Sequence, residues 1–561
     1  MKREKEILQA FSNLGYAPRD NQVSIVSDVV SAFIDEVKRN VVLVAGVGVG
    51  KSLIAAAVSE TLLICSKTRQ TTEYTVPPSA IYCTSTNMLL EQYADSFKKL
   101  PEEKFFRIKG AVNYPCNYFR NPKTQNFNDK ATGEDCVIAE LSPFEKEKYC
   151  ETCEYKKAQK LAQTTDNLVT NYAYWITSKL HCGSMKYRPL QVMDESHLLN
   201  DTFCSLMTVE ISVDLLDRLI KDVTNNTNGK CEDEIARLIL AKNDLSSYNQ
   251  NNYKEKILGV AKIYATIVKK CEALVVLIPD LKARTKMRKV ASRFSRLIGL
   301  IKQLIVKNYE HVLDTTVKDV VLVKPVFING MMDDLLAERN LFMSATLSPN
   351  YVTTTMGLTP TETKFIVAPE VFPAENKPLH FVGKTALNYE KMKNTQTFID
   401  LGEIISMIIE HHSAEKGIII VPSFYATKMI VQQIPSSVKI FQHLQGSPVS
   451  ETVSAFKAYK KPSVMISPSI FEGIDLPGLT SEFQIILKCP FPSLGDPRIS
   501  KIARDYPDIY KEMTLYKILQ AIGRSIRSKE DRATTYMMDS AIQNLFNSKF
   551  NLWKDRFLVI K

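Results

Sequence analysis

Short, near-continuous apolar runs recur along this chain, each ending in small or polar residues and followed by a stretch with helical apolar spacing. VVLV (Val41 to Val44) predicts a buried strand, and KSLIAAAVSETLLI, from Lys51, predicts an Ala- and Leu-rich helix. The same reading makes strands of LQV before MDESH, LFMSATL (Leu341 to Leu347), GIIIVPS (Gly417 to Ser423), VMISPSIFEGIDLPG (Val464 to Gly478) and QIILKCPFPSLGDP (Gln484 to Pro497). Unbroken apolar strands are typical of a parallel sheet covered on both faces. Strands alternate with helices before residue 100 and again late in the chain, so the pattern predicts an α/β protein with two such lobes. Ahead of the first strand come a charged helix (MKREKEILQAF), a turn at Pro18 and a second helix. MMDSAIQNLFNSKF predicts a closing strand and helix.

The length of 561 residues implies three or four structural units at about 100–200 residues each. With 45% hydrophobic and 24% charged residues the composition is globular. No run approaches the roughly 18 apolar residues a membrane span needs. The first residues lack the apolar core of a signal peptide, so a cytoplasmic protein without a membrane partner is expected. The net charge is +11, and its distribution matters more than its size. Between Lys262 and Glu310, twelve Lys and Arg stand against Glu272, Asp280 and Glu310, interleaved with Leu297, Leu300, Ile301 and Leu304 at helical spacing. Such a segment reads either as a solvated helix face or as a surface for a polyanion.

The first chemistry lies in AGVGVGKS, residues 45 to 52, between the strand VVLV and the helix from Lys51. Gly46, Gly48 and Gly50 let backbone N–H groups turn toward phosphate oxygens at the positive end of the helix. Lys51 is placed to reach the β- and γ-phosphates and the Ser52 hydroxyl to hold Mg²⁺, which implies ATP as ligand. The strict pattern has Gly where this chain has Ala45. MDESH (Met193 to His197) then delivers Asp194 and Glu195 at the end of a strand, where a phosphate-loop ATPase needs one carboxylate for Mg²⁺ and one to deprotonate the attacking water. In QAIGRSIRS, Arg524 and Arg527 lie three residues apart on a helix. Arginines from a second lobe can stabilise charge developing on the γ-phosphate as a cleft closes.

Eleven scattered cysteines argue against a disulfide framework. Four stand apart: Cys116, Cys136, Cys150 and Cys153 fall in one segment, the last two as CxxC. Four thiolates hold either zinc or an iron–sulfur cluster, and one close pair with two wide singles leans toward the cluster without deciding it. A single-strand track needs basic groups and stacking aromatics. Candidates are Tyr114 and Tyr118, then Tyr172, Tyr174 and Trp175, and in the second lobe Phe424 and Tyr425.

AGVGVGKS, DESH, SATL, EGIDLPG, KCPFP and QAIGRSIR, in this order and with the four cysteines between the first two, resemble the XPD/DinG family of superfamily 2 DNA helicases. RDNQ (Arg19 to Gln22), KGAVNYPC (Lys109 to Cys116) and VTNYAYW (Val169 to Trp175) add to the match, which spans nearly the whole chain. The resemblance implies two RecA-like motor lobes and a [4Fe–4S] cluster on Cys116, Cys136, Cys150 and Cys153. It divides the chain into a first lobe (1–100, 167–206 and 324–358), an iron–sulfur domain (101–166), a helical arch (207–323) that contains the basic segment, and a second lobe (359–561). It implies ATP- and Mg²⁺-dependent 5′ to 3′ travel of a monomeric motor on single-stranded DNA, opening forked duplex or RNA–DNA hybrid. By the same likeness Arg19 and Gln22 lie on the adenine side, and His197 couples nucleotide to DNA. Ser344 and Thr346 relay between lobes, Glu472, Gly473 and Asp475 contact ribose, phosphate or DNA, and Gln520 faces the γ-phosphate with Arg524 and Arg527. Ser196 replaces the usual Ala of DEAH, a departure that removes no functional group.

Only about forty residues precede the phosphate loop, so an amino-terminal nuclease domain is not expected, nor is an extra module after QAIGRSIRS. Two other readings share these residues. One is a nucleic-acid-stimulated ATPase that remodels R-loops or protein–DNA complexes with weak unwinding. The other is a zinc-stabilised nucleic-acid-binding switch protein.

Overall fold

The computed structural model describes all residues except 1–2, 20, 47, 69–78, 115–152, 183–184, 280, 470–479, 527 and 561. Two seven-stranded parallel sheets organise the described residues. The first holds β1 (Asn40–Val44), β2 (Ala80–Thr84), β3 (Phe105–Arg107), β4 (Asn167–Asn171), β5 (Leu190–Asp194), β9 (Arg339–Ser344) and β10 (Thr363–Val367), in the order β10-β1-β9-β5-β2-β4-β3. Between β5 and β9 in the chain, β6 (Val209–Ser212), β7 (His311–Asp314) and β8 (Val320–Pro325) pair antiparallel as a separate small sheet. The second large sheet holds β11 (Pro378–Phe381), β12 (Lys416–Ile420), β13 (Ile440–Gln442), β14 (Ser463–Ser467), β15 (Phe483–Ile486), β16 (Thr534–Met537) and β17 (Leu558–Ile560), in the order β13-β14-β12-β15-β16-β11-β17.

Each large sheet is apolar on both faces because its central strands are apolar at nearly every position, as parallel packing under helices requires. On β1, Val42 faces one core while Val41 and Leu43 face another. On β12, Ile418 and Ile420 face one core and Ile419 the other. The predicted strands before Asp194, at LFMSATL, at GIIIVPS and at QIIL are all present, as are the helices Glu4–Asn13 and Gln22–Ile34.

The region between β6 and β8 is built on helices, among them the antiparallel pair Tyr253–Leu277 and Leu281–Ile301, where the Tyr264 and Phe294 rings meet at 5.0 Å. Its base is the small antiparallel sheet, which the reading of residues 207–323 as a helical arch did not include. The local charge excess there is also smaller than the sequence count. Lys270 pairs with Glu234 at 2.7 Å, Lys307 with Asp334 at 3.7 Å and Arg293 with Asp222, all acids brought in from outside the segment.

The second lobe docks on this base and on the first lobe through the helix Pro497–Asp505. Arg498 bonds Asp201 at 2.9 Å and the Val326 carbonyl at 3.0 Å, Lys324 bonds Asp496 at 3.1 Å, and Lys501 bonds Glu310 at 3.0 Å.

Candidate active site

Strands β1, β5 and β9 lie side by side, and their carboxyl ends carry the phosphate loop, DESH and SATL respectively. Parallel sheets bind ligands at this end, and the order of the strands fixes which motif faces which. Gly48 and Gly50 hold φ of +86° and +81°, the left-handed conformation that glycine adopts at least cost. A Cβ on Gly50 would lie 2.5 Å from Gln22 Nε2, and one on Gly48 would lie 2.2 Å from the Phe372 ring. Both glycines are therefore required by close approach as well as by conformation.

Gln22 locks the loop from outside. Its Nε2 donates to the Val49 carbonyl at 2.9 Å and its Oε1 accepts from the Arg19 backbone N–H at 2.9 Å, while the Arg19 guanidinium donates to the Gly48 carbonyl at 3.2 Å. Ala45 is fully buried and its N–H bonds the Ser344 carbonyl at 2.9 Å, so the methyl that departs from the glycine pattern is absorbed in the core.

Lys51 opens the helix Lys51–Thr68, and its ammonium bonds the Ala45 carbonyl at 3.4 Å and Glu195 Oε1 at 3.5 Å. Glu195 holds φ +53°, an uncommon conformation for a non-glycine residue that recurs at functional sites. Burial, with the neighbouring Glu195 carboxylate, pushes the Asp194 carboxyl up to about 7, against the pull of Lys51. Carboxylate oxygens are hard donors of the kind that suit Mg²⁺, and Asp194 and Glu195 offer them beside Lys51. The Thr346 hydroxyl within SATL is buried without a hydrogen-bond partner among the described residues.

His197 is the junction. Its Nδ1 lies 3.0 Å from Ser344 Oγ and 3.4 Å from Glu195 Oε2, and its Nε2 contacts the Gln520 side-chain amide from the second lobe. Ser196, which replaces the family alanine, is fully buried and donates to the Met343 carbonyl at 3.0 Å, tying the end of β5 to β9. Arg524 is buried just beyond the helix Pro507–Ile522 that carries Gln520. Glu472, Gly473, Asp475, Arg527, Cys116, Cys136, Cys150 and Tyr118 lie outside the described residues, and Cys153 caps the helix Glu154–Thr164 half-buried.

Sequence reasoning missed a second layer behind the loop. Glu370, on the linker after β10, faces Gly46, 3.3 Å from where a Cβ would stand, and pairs with Lys377 at 3.1 Å and Arg556 at 2.8 Å. Arg556 also donates to the Ala345 carbonyl at 3.0 Å. Gly46, Ala345, Glu370 and Arg556 line a cavity of about 330 Å³ between the lobes. No local pattern marks the second layer, because its members meet only across the fold.

Among the stacking candidates, Tyr172 and Trp175 are fully buried, and Tyr172 donates to the Asp194 carbonyl at 2.7 Å. Tyr172 is floor to the acidic pair, and neither buried ring is a base-stacking surface. Tyr114 packs on Tyr155 at 5.4 Å, while Tyr425 is about half exposed.

Known proteins agree with this layout. A helicase C-terminal domain family matches residues 405–554, and the res-subunit family of type III restriction enzymes matches residues 15–221. The ATP-dependent DNA helicase YoaA of Escherichia coli is 21% identical over 462 residues, 75% of this chain and 70% of its own. A solved XPD helicase superposes with a TM-score of 0.61 at 17% identity, over 97% of this chain and all of the other. The chain is similar to the XPD/DinG helicases of superfamily 2. S. tokodaii Xpd4, at TM-score 0.57 and 15% identity over 97% of this chain and all of the other, has the same fold. The contact that joins the second lobe to this site is Gln520 on His197.

Proposed function

We propose that this ATP-dependent DNA helicase travels 5′ to 3′ on single-stranded DNA and opens forked duplex or RNA–DNA hybrid. The observation that carries the motor reading is the continuous chain from Lys51 through Glu195 and His197 to Gln520, which joins the phosphate loop of one lobe to a helix of the other. Lys51 holds the β- and γ-phosphates, Ser52 and Asp194 hold Mg²⁺, and Glu195 takes a proton from the attacking water. Arg524 and Arg527 meet the γ-phosphate on closure, and Arg19 and Gln22 bound the adenine side. Polarity rests on the family likeness. Strand displacement from 5′- against 3′-overhang duplexes tests it, and opening from the 3′ overhang alone would reject it.

The four cysteines Cys116, Cys136, Cys150 and Cys153 are proposed to hold a [4Fe–4S] cluster, supported by the CxxC pair and the family likeness. An absorption band in the visible that bleaches on reduction is expected from anaerobically purified protein, whereas a colourless protein releasing zinc refutes the cluster. Among the described residues no helix is long and apolar enough to cross a membrane. A cytoplasmic monomeric motor fits the reading.

A further inference from the structure

The helix Pro507–Ile522 presents Glu512, Tyr516 and Gln520 at four-residue spacing, hence on one face. Gln520 meets His197 at the nucleotide site. One turn back, the Tyr516 hydroxyl accepts from the Ser348 N–H at 3.0 Å and donates to Glu512 Oε2 at 3.0 Å. One turn further, Glu512 Oε2 accepts from the Ser348 hydroxyl at 2.5 Å. Ser348 belongs to the first lobe, directly after SATL, and its Oγ accepts from the Tyr351 N–H at 3.0 Å to cap the helix Pro349–Met356. The Tyr351 ring meets the Tyr516 ring edge-on at 5.3 Å, and its hydroxyl donates to the His197 carbonyl at 3.3 Å. The contacts form a closed ring: His197, Gln520, along the helix to Tyr516, across to Ser348 and Tyr351, and back to His197.

The contacts of Glu512 to Ser348 and Tyr516 are buried, and Glu512 itself is only 3% exposed, with the Lys549 ammonium at 3.1 Å. A buried carboxylate is a poor device for mere adhesion, since an apolar contact of similar size docks two surfaces at lower desolvation cost. It is a good device for registering one arrangement, because its hydroxyl donors are spread over both lobes. Turning the helix away from Ser348 leaves a buried charge short of a donor, and the same turn takes Gln520 off His197. The two sets of contacts make and break together.

We propose that Glu512 and Tyr516 are positioning residues that carry cleft closure from the nucleotide site into the turn after SATL, so that DNA engagement and hydrolysis are linked. The inference rests on the motor reading above. It is tested with Glu512→Gln and Tyr516→Phe in the full chain, measuring binding of a fluorescent ATP analogue, DNA-free ATPase, DNA-stimulated ATPase and base pairs opened per ATP. Nucleotide affinity and the DNA-free rate are expected within about twofold of the unaltered protein. The DNA-stimulated kcat is expected to fall about tenfold in Glu512→Gln, the scale of one charge-assisted hydrogen bond, with KM for ATP unchanged and fewer base pairs opened per ATP. Tyr516→Phe moves the same quantities less and removes a single oxygen, so it decides the question if Glu512→Gln does not fold. A purely structural role would lower every rate together, and that result, or stimulation and base pairs per ATP equal to the unaltered protein, overturns the proposal. If the unaltered chain itself gains no ATPase from DNA, the motor reading falls and this inference with it.

Discussion

At the scale of single residues, the left-handed Glu195 aims its carboxylate between Lys51 and His197, where one group serves both phosphate chemistry and the contact to the second lobe. Glu195→Gln is expected to cut DNA-stimulated ATP turnover about 10²- to 10⁴-fold while ATP binding, followed by fluorescence titration, changes by less than about twofold. Gly48→Ala acts differently. It places a Cβ against the Phe372 ring on a backbone at φ +86°, so it is expected to cost about 1–2 kcal/mol in conformation alone and to weaken nucleotide affinity about tenfold or more in the same titration. Lys51 and Asp194 stand out in the sequence by residue type and local spacing, and His197 and Gln520 only through the family likeness. Glu370, Phe372, Arg556 and Glu512 were not, since each acquires meaning only from a partner far away in the chain.

At the scale of elements, apolar continuity identified the central strands of both sheets, but the edges were harder. β3, β13 and β17 each span three residues, too short for any periodicity to register. Tyr172 and Trp175 look like a stacking platform in sequence, yet the helix Tyr172–Thr177 turns both inward. The docking helix Pro497–Asp505 offers a contrast between a buried and an exposed arginine. Arg498→Ala leaves the Val326 carbonyl without its buried donor, while the half-exposed Asp201 is rehydrated, and the change is expected to lower stability by about 1–2 kcal/mol in thermal or urea unfolding. Arg504→Ala, in the exposed pair with Asp505, should leave the melting temperature unchanged.

His380 on β11 stacks on Tyr536 at 4.9 Å, and burial together with His411 and His412 holds its pKa below the ordinary 6.5. The folded protein thus favours neutral His380 more than the unfolded chain does, so this stability is present above pH of about 6.5 and is lost as acid protonates the unfolded state first. A fall in melting temperature from pH 7.5 to 5.5, shallower in His380→Asn, is the expected result.

At the scale of the whole molecule, three neighbouring strand ends join the nucleotide site to the second lobe: β1 leads into the phosphate loop, β9 into SATL and β10 into the linker to the second lobe. The linker starts one hydrogen bond from the loop, Ala368 N–H to the Val44 carbonyl at 2.8 Å. Mechanically, the phosphate loop sits at the fulcrum of a lever whose long arm is the second lobe. On the proposed motor cycle, a small change in what the loop grips would produce little travel at the hinge and the greatest sweep at the far rim. Force would be applied where displacement is least, and the stroke delivered at a distance from the fuel.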